Sequence, residues 1–459
     1  MAEIHIPDSI PVRYKSRSRG ATLLFGALFA VGLAAFVITL GRDPLQAWRA
    51  YLVNWLYFTS IAMGAVMVVV AATVTKARWN WSVKRVGLAF AAFLPLSFLL
   101  FLPLLGIMEW FFPWVEYMET DPVVQNKEAW LNLPFLTIRN VLGLLVLFGL
   151  ALYFVYTTLR PDLGLVEGEE GSEEPSRVKW RERLTKNWIG QEQEEVRSHR
   201  RLAVLAPVVA LLFAVIFSNV SYDWIMSLEP HWFSTLFGGW FFMGAFWGGA
   251  ALTALATIWL KRSDEVLDEH MGPQQLHDLG KLCFAFCVFW AYLFWSQYLV
   301  IWYGKLPWEQ AWIVHRSDET WGGLSALVVI LCFIVPFMGL IGRTPKLKPK
   351  VLGTFTAVIL VGLWLERYVM VVPSVFEGGP ILTIWEPLIG LMFLGLFLAS
   401  FRWFLRTFPI IQIWQPLVDP EMVEAEWNEV RPGIIERPMV SSERPEDEAH
   451  RETPGGRRE

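Results

Sequence analysis

Ten apolar runs, each about as long as a helix needs to cross a hydrocarbon core, dominate the sequence. They cover residues 21–40, 48–74, 86–108, 133–159, 202–222, 231–260, 279–303, 320–341, 351–372 and 382–404. A hydrophobic share of 54% already exceeds the apolar share of ordinary soluble domains, about 45–50% with glycine counted. The expected fold is an all-α integral membrane domain over 21–407, between a polar tail (1–20) and a charged, proline-rich tail (408–459).

Positive charges alternate along the chain. Arg13, Lys15, Arg17 and Arg19 precede the first run, and Lys76, Arg78, Lys84 and Arg85 join the second to the third. A basic cluster at 177–201 precedes the fifth, Lys261 and Arg262 follow the sixth, and Arg343, Lys346, Lys348 and Lys350 join the eighth to the ninth. No Lys or Arg lies in 219–231 or 373–385. Under the positive-inside rule this parity places both termini in the cytoplasm. A cleaved signal peptide would also give a basic flank before an apolar run, but the parity requires the first run to be retained.

Within 160–201, an acidic stretch (Glu167 to Glu174) leads into a charged segment where Trp180, Leu184 and Trp188 recur every four residues. That spacing predicts an interfacial helix. Pro95 and Pro103 predict a bent third helix, and Cys283, Cys287 and Cys332 fall inside apolar runs, so no disulfide framework is expected. Most tryptophans lie near run ends and read as interfacial anchors rather than as a quinone pocket. The seven histidines (5, 199, 231, 270, 277, 315 and 450) sit in loops, tails or run ends. Paired mid-membrane haem ligands are therefore not expected, nor are cysteine series for an iron–sulfur cluster.

Ionisable groups inside apolar spans are costly and mark function by default. Arg139 and Asn140 lie in the fourth run, Glu366, Arg367 and Tyr368 in the ninth, and Glu386 at the start of the tenth. Together with Asp223, Glu229 and His231 in the fifth-to-sixth connection, they predict a polar cluster at the outer face. On an ideal helix, Asp278, Lys281, Tyr292, Ser296 and Tyr303 fall within about 60° of one another, giving a stripe along the seventh run with an apolar gap of roughly 16 Å. Gln297 lies off that stripe. These groups read either as a proton path or as clamps fixing helix register. A stand-alone transporter would call for interrupted helices in two related halves, and no internal repeat is evident.

The segments SNVSYDWIMSLEPHWFSTLFG (218–238) and HDLGKLCFAFCVFWAYLFWSQYLVIWYGKLPWE (277–309) closely resemble the ActF-like, NrfD-type membrane subunits of bacterial alternative complex III. The resemblance implies two packed four-helix bundles, spans 2–5 and 6–9, flanked by spans 1 and 10. It also implies a place in the bacterial inner membrane, within a complex that oxidises quinol and passes electrons through iron–sulfur and c-type haem subunits. The active quinol site is then expected in an ActC-like sister subunit. This chain would hold no redox centre and would contact that sister, the iron–sulfur and cytochrome subunits, small membrane subunits and lipid, but no nucleic acid. A proton path in such subunits is also implied.

Overall fold

The computed structural model describes residues 6–7, 10–166, 174–376, 378 and 381–415. Ten helices among them are long and apolar enough to cross a membrane: Arg19–Leu40, Pro44–Val74, Lys84–Leu105, Leu133–Leu165, Gln191–Leu228, Thr235–Lys261, Pro273–Gly304, Gly322–Leu340, Pro349–Val375 and Trp385–Thr407. The protein is thus an all-α, multi-pass membrane protein. Several ends follow local chemistry. Asp43 Oδ1 and Asn132 Oδ1 accept the backbone N–H of Gln46 and Phe135, both at 2.9 Å, and proline opens the second, seventh and ninth spans.

Spans 2 to 5 pack on one another, as do spans 6 to 9, while the first and tenth spans pair and lean on the second. This is the expected two-bundle arrangement. The second and sixth spans are its axis, and they touch at glycines. A Cβ at Gly64 would lie 1.9 Å from the carbonyl oxygen of Ala245, and one at Gly249 would lie 2.0 Å from the carbonyl carbon of Gly64. In lipid, association rests on such close backbone packing.

Two of the spans that carry proline, the third and the eighth, deform, each in its own way. The third tightens into a 3₁₀ turn at Phe90–Phe93, just before Pro95. Proline cannot donate to the carbonyl four residues back, so the break lies ahead of Pro95 rather than at Pro103. In the eighth, a π-helical turn at Ile330–Ile334 precedes Pro336. The carbonyl that Pro336 leaves without its usual helical partner, that of Cys332, accepts instead from the Cys287 thiol at 3.4 Å. A neighbouring span thereby satisfies what proline releases.

Three local features correct or add to these expectations. The interfacial helix runs only from Pro175 to Leu184. Asn187 and Gly190 then take positive φ (59° and 115°), so Trp188 leaves the Trp180 face. Trp180 packs on Trp403 and Phe408, whereas Trp188 lies under Arg160, 5.5 Å from its guanidinium. Second, three tryptophans are fasteners between spans rather than interfacial anchors. Trp55 donates to Ser97 O at 3.0 Å, Trp247 to Cys283 O at 2.9 Å and Trp290 to Glu366 at 2.6 Å. Third, the N-terminal tail docks on its own chain: Lys15 N donates to Leu405 O, and Ile410 N to Arg13 O. The acidic run at 167–173 and the tail beyond 415 lie outside the described residues.

Candidate functional site

The predicted polar groups form separate clusters, most of them at the end of the bundle away from the basic loops. In the first half, Asp223 at the end of the fifth span is buried. It accepts Arg139 Nε at 2.8 Å and Nη2 at 2.5 Å, and Asn140 Nδ2 at 2.6 Å. Arg139 also donates to Trp130 O at 2.8 Å and stands 4.1 Å over the Trp130 ring. Trp224 Nε1 donates to Asn140 Oδ1 at 3.2 Å. The carboxylate is enclosed by donors.

In the second half, Glu366 (2% exposed) and Arg367 (1% exposed) form an ion pair of 2.8 Å on the ninth span. The other oxygen of Glu366 accepts Trp290 Nε1 at 2.6 Å. Arg367 donates to Phe241 O at 3.1 Å and lies 4.1 Å over its ring. Gly244 makes the room, since a Cβ there would come 3.2 Å from the guanidinium. Glu366 opens onto a cavity of about 290 Å³, bordered also by Trp240, Trp290, Gln297, Trp312 and Arg316. Three buried polar atoms of that lining have no protein partner: Trp240 Nε1, Trp312 Nε1 and Gln297 Oε1. Unpaired buried donors and acceptors are costly, so a lining that carries three of them is suited to water or another polar guest.

Arg316, on the short helix Pro307–Ser317, closes the far side of this cavity. It donates to Glu229 at 3.0 Å, to Ser374 at 2.7 Å, and to the carbonyls of Val369 at 3.0 Å and Met370 at 2.9 Å. Val369 O is the acceptor that Pro373 leaves without its usual helical partner. Burial pushes Arg316 down to about 10, opposed by Glu229, so it stays charged at neutral pH. Glu229 also accepts Ser374 Oγ at 2.9 Å and lies 3.9 Å from His315.

The remaining candidates divide. His231 meets Asp121 at 2.5 Å on the surface, and that hydrogen bond holds the Asp121 carboxyl below its ordinary range. Glu386 is buried at the start of the tenth span and accepts Gln46 Nε2 and Thr383 N, both at 2.9 Å, and Thr383 Oγ1 at 2.5 Å. This resembles a capping box. Tyr368 donates to Ile381 O. Asp278, 6% exposed, pairs with Lys281 at 2.5 Å and accepts Gln274 at 2.9 Å at the basic end.

The stripe on the seventh span does not line an interior path. Tyr292 is 61% and Tyr303 81% exposed, and Ser296 is half-buried. The face that packs inward carries Trp290 and Gln297 instead. A helical wheel aligns residues with one another but does not say which side meets neighbours.

Sequence reasoning also missed Arg316, which lies between the seventh and eighth runs, and two buried pairs at the basic end. Arg85 is fully buried against Asp162, which also accepts Trp414 N at 2.7 Å. Arg160 meets Glu194 through two bonds of 2.6 Å. Arg85 had entered only as a loop charge in the parity argument. Among the described residues no group of three or more His, Cys, Asp or Glu could hold a metal ion. Scans of protein-family models and of curated proteins find no match to this chain.

Proposed function

We propose that this chain is a membrane subunit of a quinol-oxidising electron-transfer complex of the alternative complex III type. In this reading it scaffolds its partners and contributes a proton path, while a sister subunit oxidises quinol. Both termini then face the cytoplasm of a bacterial inner membrane. The two segments that carry the resemblance also build the clusters: 218–238 supplies Asp223 and Glu229, and 277–309 supplies Trp290 and Gln297.

The observation that carries the proton reading is the opening of buried Glu366 onto a cavity with unpaired polar atoms, whose far wall holds Arg316, the residue that pairs with Glu229 behind it. A carboxyl so placed exchanges protons through cavity water with the outer face. The Arg367 guanidinium and the Trp290 N–H hold it in position. Towards the basic end, the neighbourhood of Cys283, Cys287 and Cys332 is apolar and packed, so the supported route is an outer half-path. The alternative, a purely structural subunit, draws on the Asp223 cluster, whose donors leave no opening.

The test is Glu366→Gln in the assembled complex, reconstituted in vesicles, with quinol oxidation and proton release followed together. The expected outcome is normal oxidation with fewer protons moved per electron. An unchanged proton yield sinks the path.

A further inference from the structure

At the basic end a second cavity, about 190 Å³, lies between the end of the second span, the following loop and the fifth span. Its mouth is apolar, formed by Val74, Ala203 and Pro207, all exposed on the flank of the helices. Its inner wall is polar. Asn80 borders it, is 3% exposed, and its buried Nδ2 has no hydrogen-bond partner. Lys84 borders it too, and Lys76 and His199 stand at its rim. The carboxylate near Lys84, Asp162, is already engaged by Arg85 and by the N–H groups of Ile413 and Trp414. Two cations, Arg85 and Lys84, therefore stand near this one carboxylate, and Arg85 takes its ion pair.

The cavity also sits at a particular height. The fifth-span helix changes there from the charged stretch ending at Arg201 to the apolar stretch beginning at Leu202, and the second span ends at Val74. A notch at this level, polar inside and apolar towards the flank, matches a phospholipid in both parts. Basic pockets beside membrane helices recognise acidic headgroups.

We propose that this notch binds the phosphate headgroup of one acidic phospholipid. The phosphate oxygens accept from Asn80 Nδ2 and Lys84, and an acyl chain lies along Ala203 and Pro207. The site tethers the loop joining the second and third spans to the fifth, and it does not depend on which complex the chain joins.

The experiment uses the full-length chain, delipidated in detergent and examined by native mass spectrometry with added phosphatidylglycerol, phosphatidylcholine or inorganic phosphate. One phosphatidylglycerol should survive activation that strips phosphatidylcholine, and inorganic phosphate should not displace it. Lys84→Gln should weaken retention about five-fold, the worth of one cation at an anionic headgroup. Ala203→Trp, at an exposed position, should block the mouth and abolish retention while leaving the thermal melt unchanged. Equal retention of both lipids, or full retention by Ala203→Trp, would overturn the proposal. Displacement by inorganic phosphate would overturn it too, marking a site for soluble anions.

Discussion

Each half of the molecule buries a carboxylate against an arginine near the same end of the bundle, yet the two pairs are built for different ends. Asp223 takes two bonds from Arg139 and one from Asn140, and Trp130 stacks over the guanidinium, so the first pair is saturated. Glu366 takes one bond from Arg367 and one from Trp290 and borders a cavity in whose lining three polar atoms lack partners. A saturated buried pair holds helices in register and resists a change of charge. A pair with an open side can exchange a proton without dismantling its supports. The contrast teaches that buried charge in a membrane domain is informative chiefly through what is left unsatisfied beside it.

Substitutions can break this contrast. Asp223→Ala should have the largest effect. It strands the Arg139 guanidinium and the Asn140 amide, and losing one partner of a buried pair costs about 3–5 kcal/mol. Yield of folded protein should collapse, while any assembled complex should couple normally. Glu366→Gln imitates the protonated acid and keeps the Trp290 bond. Its stability cost should be smaller, about 1–3 kcal/mol, because the amide nitrogen then faces the Arg367 guanidinium, with its effect concentrated in proton release. A yield as low as that of Asp223→Ala would place both pairs in the clamp class. Gln297→Leu removes a buried oxygen that has no partner, so thermal stability should hold or rise while proton release slows severalfold. Unaltered release would detach the cavity from the path. The smallest effect belongs to the double variant Tyr292→Phe, Ser296→Ala. Both side chains lie away from the helix interface, and melting should stay within about 0.5 kcal/mol of wild type with full coupling.

The sequence determined the class and the count of spans, because apolar length and loop charge act locally and need no knowledge of neighbours. It also named both carboxylates, since an acid in an apolar run stands out wherever the helix faces. Only the tertiary structure decided the rest. Tyr292 and Gln297 carry similar weight in a list of residues, and the packing of the seventh span against the sixth and ninth turns one outward and the other inward. Arg85 counted only as a loop charge, and nothing singled out Arg316, until the fold brought Asp162 and Glu229 to them. The reason is physical. Periodicity fixes angles about one helix axis, whereas burial and partnership depend on where the other helices stand, and contacts between residues far apart in the chain set that position.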